Sequence, residues 1–79
     1  MENVEKHFGA AVRQLRQKKK LSQEAMASLA GIHRTYASSI ERGRVQVSIG
    51  VAAQIAGALE VSLSRLFRET EKFASQAPD

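Results

Sequence analysis

The side chains in this sequence that can do chemistry are hydrogen-bond donors and cations, not nucleophiles or metal ligands. There is no cysteine, which removes thiol nucleophiles, thiolate metal sites and disulfide staples together. His7 and His33 stand far apart with no Asp or Glu at metal-ligand spacing, and they read as surface or capping residues. No serine lies in a nucleophile-elbow pattern, no glycine-rich phosphate loop occurs, and no paired carboxylates are placed for acid–base work. An enzyme is not expected, nor a metal, a cofactor or a small-molecule ligand. What remains is a run of donors from Arg34 to Ser48. The planar guanidinium of Arg34 matches two acceptors lying in one plane, such as O6 and N7 of guanine. Thr35 and Ser38 add hydroxyls or a methyl contact, and Ser39 lies further round. Tyr36, Arg42, Arg44, Gln46 and Ser48 supply donors suited to phosphate.

Charge points the same way. Twelve Lys and Arg against eight Asp and Glu give a net charge of +4 in 79 residues, and the sequence pI is about 10.0. Such a balance suits a polyanion, with double-stranded nucleic acid ahead of an anionic membrane surface. No apolar run approaches the roughly 20 residues of a membrane helix, and the polar start Met1 to Lys6 lacks the apolar stretch of a signal peptide. A cytoplasmic protein without a membrane partner is expected.

The elements that must hold these donors are helices, since Ala, Leu, Glu, Lys, Arg and Gln dominate and the single proline is Pro78. The spacing predicts a compact all-α fold of five helices. In the first, Val4, Phe8, Ala11, Val12 and Leu15 share an inward face, and Lys18, Lys19 and Lys20 form a solvated end that adds long-range attraction. Ser22 caps a second helix from Gln23 to Ala30, with Met26 filling the core and Gly31 free to take positive φ. A third runs from Arg34 to Arg42. Its inward face is Tyr36, Ala37, Ile40 and Glu41, leaving Thr35, Ser38, Ser39 and Arg42 outward. Ser48 caps a fourth from Ile49 to Leu59, and Ser62 caps a fifth carrying Leu63, Leu66 and Phe67. From Thr70 the pattern fades, so residues 1–69 are expected to form one domain and 70–79 a polar tail.

Two short helices joined by a tight glycine-containing turn present the second helix to the DNA major groove while the first crosses the backbone. Residues 22–42 have that layout, with the small Ala27 where the helices cross and Ile32 and Ile40 as anchors. The segments Leu21-Ser22-Gln23-Glu24-Ala25-Met26-Ala27 and Gly31-Ile32-His33-Arg34-Thr35-Tyr36-Ala37-Ser38-Ser39-Ile40-Glu41-Arg42-Gly43 resemble the Xre and lambda-repressor-like helix-turn-helix family. Within it, His33-Arg34-Thr35-Tyr36 with Ile40-Glu41-Arg42-Gly43 is similar to the controller proteins of restriction-modification systems. Two features depart from the family pattern. Ala37 is smaller than the usual aliphatic residue, and the middle of Gly43-Arg44-Val45-Gln46-Val47 is more apolar than an ordinary loop.

The resemblance implies a lambda-repressor-like, sequence-specific transcription regulator working as a homodimer on a palindromic operator, an autoregulatory controller of a restriction-modification system that acts as a repressor, an activator or both. Arg34, Thr35, Ser38 and Ser39 would read bases; Gln23, Tyr36, Arg42, Arg44, Gln46 and Ser48 would hold phosphates. Arg16 and Glu41 match positions that form a structural ion pair. The expected dimer surface, about residues 49–68, takes in Ile49, Val51, Ala52, Leu63, Leu66 and Phe67. RNA polymerase is a further expected contact. Two alternatives remain. An antitoxin would use the same body and hold a toxin with its C-terminal helix and tail, although a mostly polar tail of ten residues makes a poor neutralising arm. A helical adaptor would have lost DNA binding, against which the outward Arg34, Thr35, Arg42 and Arg44 argue.

Overall fold

A computed structural model, described here for residues 1–76, consists of α1 (Val4–Lys18), α2 (Gln23–Ala30), α3 (Arg34–Glu41), α4 (Ile49–Ala58) and α5 (Leu63–Gln76), with no strand among the described residues. Polar side chains set the helix starts. Ser22, Ser48 and Ser62 each accept a hydrogen bond through Oγ, at 3.0 Å, from the amides of Ala25, Val51 and Arg65. His33 does the same for α3, its Nδ1 accepting from the Thr35 amide at 3.1 Å.

The first four helices stop by one device. Lys20, Gly31, Gly43 and Glu60 take left-handed backbone conformations. The following amides, of Leu21, Ile32, Arg44 and Val61, then bond back to the carbonyls of Arg16, Ala27, Ser39 and Ala56 at 3.0 to 3.1 Å. Glycine is indispensable at one of these. A Cβ on Gly43 would lie 2.6 Å from Cα of Lys6, and φ there is +71°. Gly9 answers it on α1, where a Cβ would stand 2.3 Å from the carbonyl oxygen of Ile40. The backbones of α1 and the end of α3 therefore touch, and this contact fixes the functional helix against its scaffold.

The core is assembled from the inward faces of all five helices, with Val12, Met26, Ala37, Ile40, Ile55, Leu59 and Leu66 essentially without exposed surface. Val4, expected on the inward face of α1, is 42% exposed. It lies on the first turn of α1.

The largest departure from expectation is at the C-terminus. The segment from Thr70 is not a tail but the last two turns of α5, which continues to Gln76; residues 77–79 of the expected tail lie outside the described residues. Two polar residues of α5, Glu69 and Thr70, are buried there because they are satisfied, while Glu71, Lys72, Ser75 and Gln76 stay exposed. The Thr70 hydroxyl donates to the Leu66 carbonyl at 2.9 Å, and Lys72 Nζ lies 3.0 Å from Oε2 of Glu69. The hydrogen bond from Lys72 holds the Glu69 carboxyl below the ordinary carboxylate range, against the opposing effect of burial. Phe73, one turn on, packs against the core.

Candidate nucleic-acid interface

The geometry of α2 and α3 follows from the turn between them and a polar clamp beneath it. Gly31, with φ +72°, ends α2, and Ile32 is half-buried under the turn. Ala27, only 2% exposed, lets the helices approach closely. Below the crossing, Arg16 grips Glu41 with two hydrogen bonds, Nε to Oε2 at 2.6 Å and Nη2 to Oε1 at 3.0 Å. The remaining donors and acceptors are engaged too. Arg16 Nη1 donates to the Leu21 carbonyl at 2.8 Å, and Gln23 Nε2 donates to Glu41 Oε1 at 3.1 Å. One residue each from α1, α2 and α3, with the α1–α2 turn, thus share a network in which the Glu41 side chain is 2% exposed.

What faces solvent is a row of donors. Arg34 opens α3 with a side chain 68% exposed, and Thr35 beside it is exposed. Ser38 and Ser39, expected on the more outward side, are half-buried, as is Tyr36, whose ring packs against the core. Their place is further along the helix, where α3 leans on its neighbours. Gln23 is also half-buried, and its amide nitrogen already serves Glu41.

The loop after α3 explains its own apolar composition. From Arg42 to Ser48 exposed and half-buried residues alternate, so that Val45 and Val47 turn toward the core while Arg42, Arg44, Gln46 and Ser48 face outward. The segment behaves like a strand edge without being one, and its alternation was legible in the sequence as Arg-Val-Gln-Val-Ser. Ser48 Oγ is engaged as an acceptor at the start of α4, which leaves its own hydroxyl hydrogen as a donor.

Besides Lys72–Glu69, two charged contacts lie outside the expected set. Arg34 Nη1 is 3.7 Å from Oε2 of Glu24 on α2. Lys19, expected to be merely solvated, pairs with Glu60, and that hydrogen bond, with the lysine charge, holds the Glu60 carboxyl below its ordinary value.

Next to the loop donors Gln46 and Ser48, which share its lining, Val4, Phe8, Val47, Ile49, Ala52 and Phe67 form a largely apolar groove of about 260 Å³. The rings of Phe8 and Phe67 are 6.2 Å apart. Of the residues expected at a dimer surface, Ile49 and Phe67 are exposed, at 75% and 40%, and Val51 and Leu63 are half-buried. Leu66 has no exposed surface and Ala52 only 3%, so both belong to the core. Sequence reasoning missed Val4, Phe8 and Val47, because the groove draws on three separate segments that only the fold brings together.

A helix-turn-helix family model matches residues 12–66 of this chain. The control protein C.MunI of a Mycoplasma species is 40% identical over 73 residues, which span 91% of this chain and 99% of that protein. Among solved structures, the restriction-modification controller protein C.AhdI from Aeromonas hydrophila has a TM-score of 0.78 and 40% identity, covering 80% of this chain and 96% of that one. The controller protein C.Esp1396I, solved as a tetramer in complex with its natural 35 base-pair operator, has a TM-score of 0.86 at 27% identity, covering 92% of this chain and 96% of that one.

Proposed function

This chain belongs to the helix-turn-helix family, and we propose that it is a sequence-specific DNA-binding transcription regulator, a controller of a restriction-modification system acting on its own operator. The observation that carries this reading is the exposed start of α3, where Arg34 and Thr35 stand at one end of a donor row continued by Arg42, Arg44, Gln46 and Ser48. With α3 in the major groove, its first residues reach base edges. Arg34 bonds O6 and N7 of a guanine, a contact worth about 1–3 kcal/mol of discrimination. Thr35 meets a neighbouring base, and Ser38 and Ser39 take the shallower positions their partial burial allows. Tyr36, the loop donors and the one remaining hydrogen of the Gln23 side-chain amide hold phosphates and set the register. The buried Arg16–Glu41 pair touches no DNA and keeps α3 in place.

The active form is a homodimer closed across the apolar groove by Ile49 and Phe67, with Val51 and Leu63 at its margin. A twofold dimer places two recognition helices about 34 Å apart, one turn of B-DNA. Binding next to a promoter then represses or activates by position, with RNA polymerase as the neighbouring partner, in the cytoplasm and without catalysis. C.MunI and C.AhdI, named as control proteins, support the controller role, and the C.Esp1396I complex supports assembly on an operator.

The test is selection from a random duplex library followed by footprinting of the enriched sequence. The expected result is a palindrome with half-sites one helical turn apart, and failure to enrich any sequence would contradict the reading. Ile49→Lys, at an exposed position, should shift the protein toward monomer in sedimentation and weaken binding to the palindrome.

A further inference from the structure

The arginine at the start of α3 is not isolated before it meets a ligand. Its Nη1 lies 3.7 Å from Oε2 of Glu24 across the turn between α2 and α3, and both side chains are largely exposed, at 68% and 75%. A guanidinium carries five N–H donors in one plane, and the major-groove edge of guanine occupies two. A carboxylate on another edge of the fork can therefore hold the group's orientation while it reads a base. The local field calls for such a partner. Arg34 is the first residue of α3, where the helix dipole is positive and disfavours a cation. Glu24 supplies the compensating charge.

We propose that Glu24 is a specificity-determining positioning residue that aims Arg34 at a base edge and withholds it from phosphate. The inference rests on the assignment of Arg34 as a base reader. On a wrong sequence, the DNA backbone offers Arg34 only anionic oxygens. Glu24 competes with them for the guanidinium and is itself repelled by them. On the right sequence, guanine takes two N–H groups and the Glu24 charge, 3.7 Å away in the free protein, still faces another edge of the fork, so the same carboxylate supports binding. Removing its charge therefore acts in opposite directions on the two kinds of duplex.

The experiment compares wild type, Glu24→Gln, Arg34→Ala and the double variant by fluorescence anisotropy. The probes are a duplex enriched by the wild-type protein from a random library and a scrambled duplex of the same composition. Glu24→Gln is expected to tighten binding to the scrambled duplex about three- to fivefold, the size an exposed pair supports. Binding to the enriched duplex stays unchanged or weakens, so the discrimination ratio falls by at least about threefold. In the Arg34→Ala background, the second substitution leaves the ratio where Arg34→Ala put it. An unchanged ratio, with both affinities rising together, overturns the proposal, since Glu24 would then be only a nearby negative charge. A fall that persists without Arg34 overturns it as well. Wild-type protein that prefers no duplex would overturn the base-reading assignment itself.

Discussion

Two arginine–carboxylate pairs tie α3 to its neighbours, and they differ in nearly every property except their chemistry. Arg16–Glu41 is doubly hydrogen-bonded at 2.6 and 3.0 Å, with the side chains 12% and 2% exposed. Arg34–Glu24 is a single contact at 3.7 Å between side chains 68% and 75% exposed. The first arginine also holds a backbone carbonyl, and its carboxylate also accepts from Gln23. The second arginine keeps its other donors for a ligand. Burial and satisfaction set the two pairs apart, one enclosed in the scaffold and the other open to solvent. A charge enclosed by partners fixes an arrangement, whereas an exposed one is screened and available.

The strongest way to break this comparison is to strip one partner from the buried pair. Glu41→Ala leaves the Arg16 guanidinium and the Gln23 amide facing an empty site and should cost about 3–5 kcal/mol in urea denaturation. The double variant Arg16→Met/Glu41→Leu should cost less than Glu41→Ala, because no unpaired charge remains. A double variant as unstable as the single one would show the pair contributing net stability rather than orientation.

A smaller effect is expected from loosening the frame that encloses the pair. In Gly9→Ala the new methyl group would sit 2.3 Å from the Ile40 carbonyl oxygen and push α1 from the end of α3. Overpacking of this kind costs about 1–3 kcal/mol. The same denaturation experiment measures it, and a neutral result would mean that α1 shifts along its own axis without strain.

The smallest effect sharpens the comparison with a third pair. Lys19–Glu60 is exposed like Arg34–Glu24 but faces no expected ligand. Since Lys19 depresses the Glu60 carboxyl in the folded state, its contribution is present above the ordinary carboxylate value of about 4.3 and fades as pH falls through the lower folded value. Glu69, depressed by Lys72, adds to the same window. Thermal unfolding followed from pH 7 to 3 should show a shallow loss that is shallower still in Lys19→Ala. An identical pH profile in that variant would remove the pair from the account.

Most of the helical frame was legible in the sequence, because its starts and stops are local events. Ser22, Ser48 and Ser62 bond amides three residues away, and Gly31 ends α2 within its own turn. What needed the fold were features set by residues distant in sequence. The end of α5 was missed because Glu69 and Thr70 look like solvent-facing residues until Lys72 and the Leu66 carbonyl satisfy them. Gly9 carries no turn signal, and its role exists only because α3 passes over it. The partial burial of Ser38 and Ser39 depends on neighbouring elements that helical periodicity does not describe. Arg16 and Glu41 stand 25 residues apart, so their contact came from family resemblance rather than from spacing.

In the proposed complex Arg34 reads bases while Arg16 only supports the fold, and one anisotropy titration across several salt concentrations separates the two roles. Arg34→Ala should lose about 1–3 kcal/mol of preference for the enriched duplex over the scrambled one, with unfolding stability changed by no more than about 0.5 kcal/mol. Arg44→Ala, as the phosphate control, should weaken both duplexes alike and reduce the salt slope by about 1 per protomer, about 2 for the dimer. Arg34→Ala protein that keeps the wild-type preference, or that loses it only by unfolding, would contradict the account.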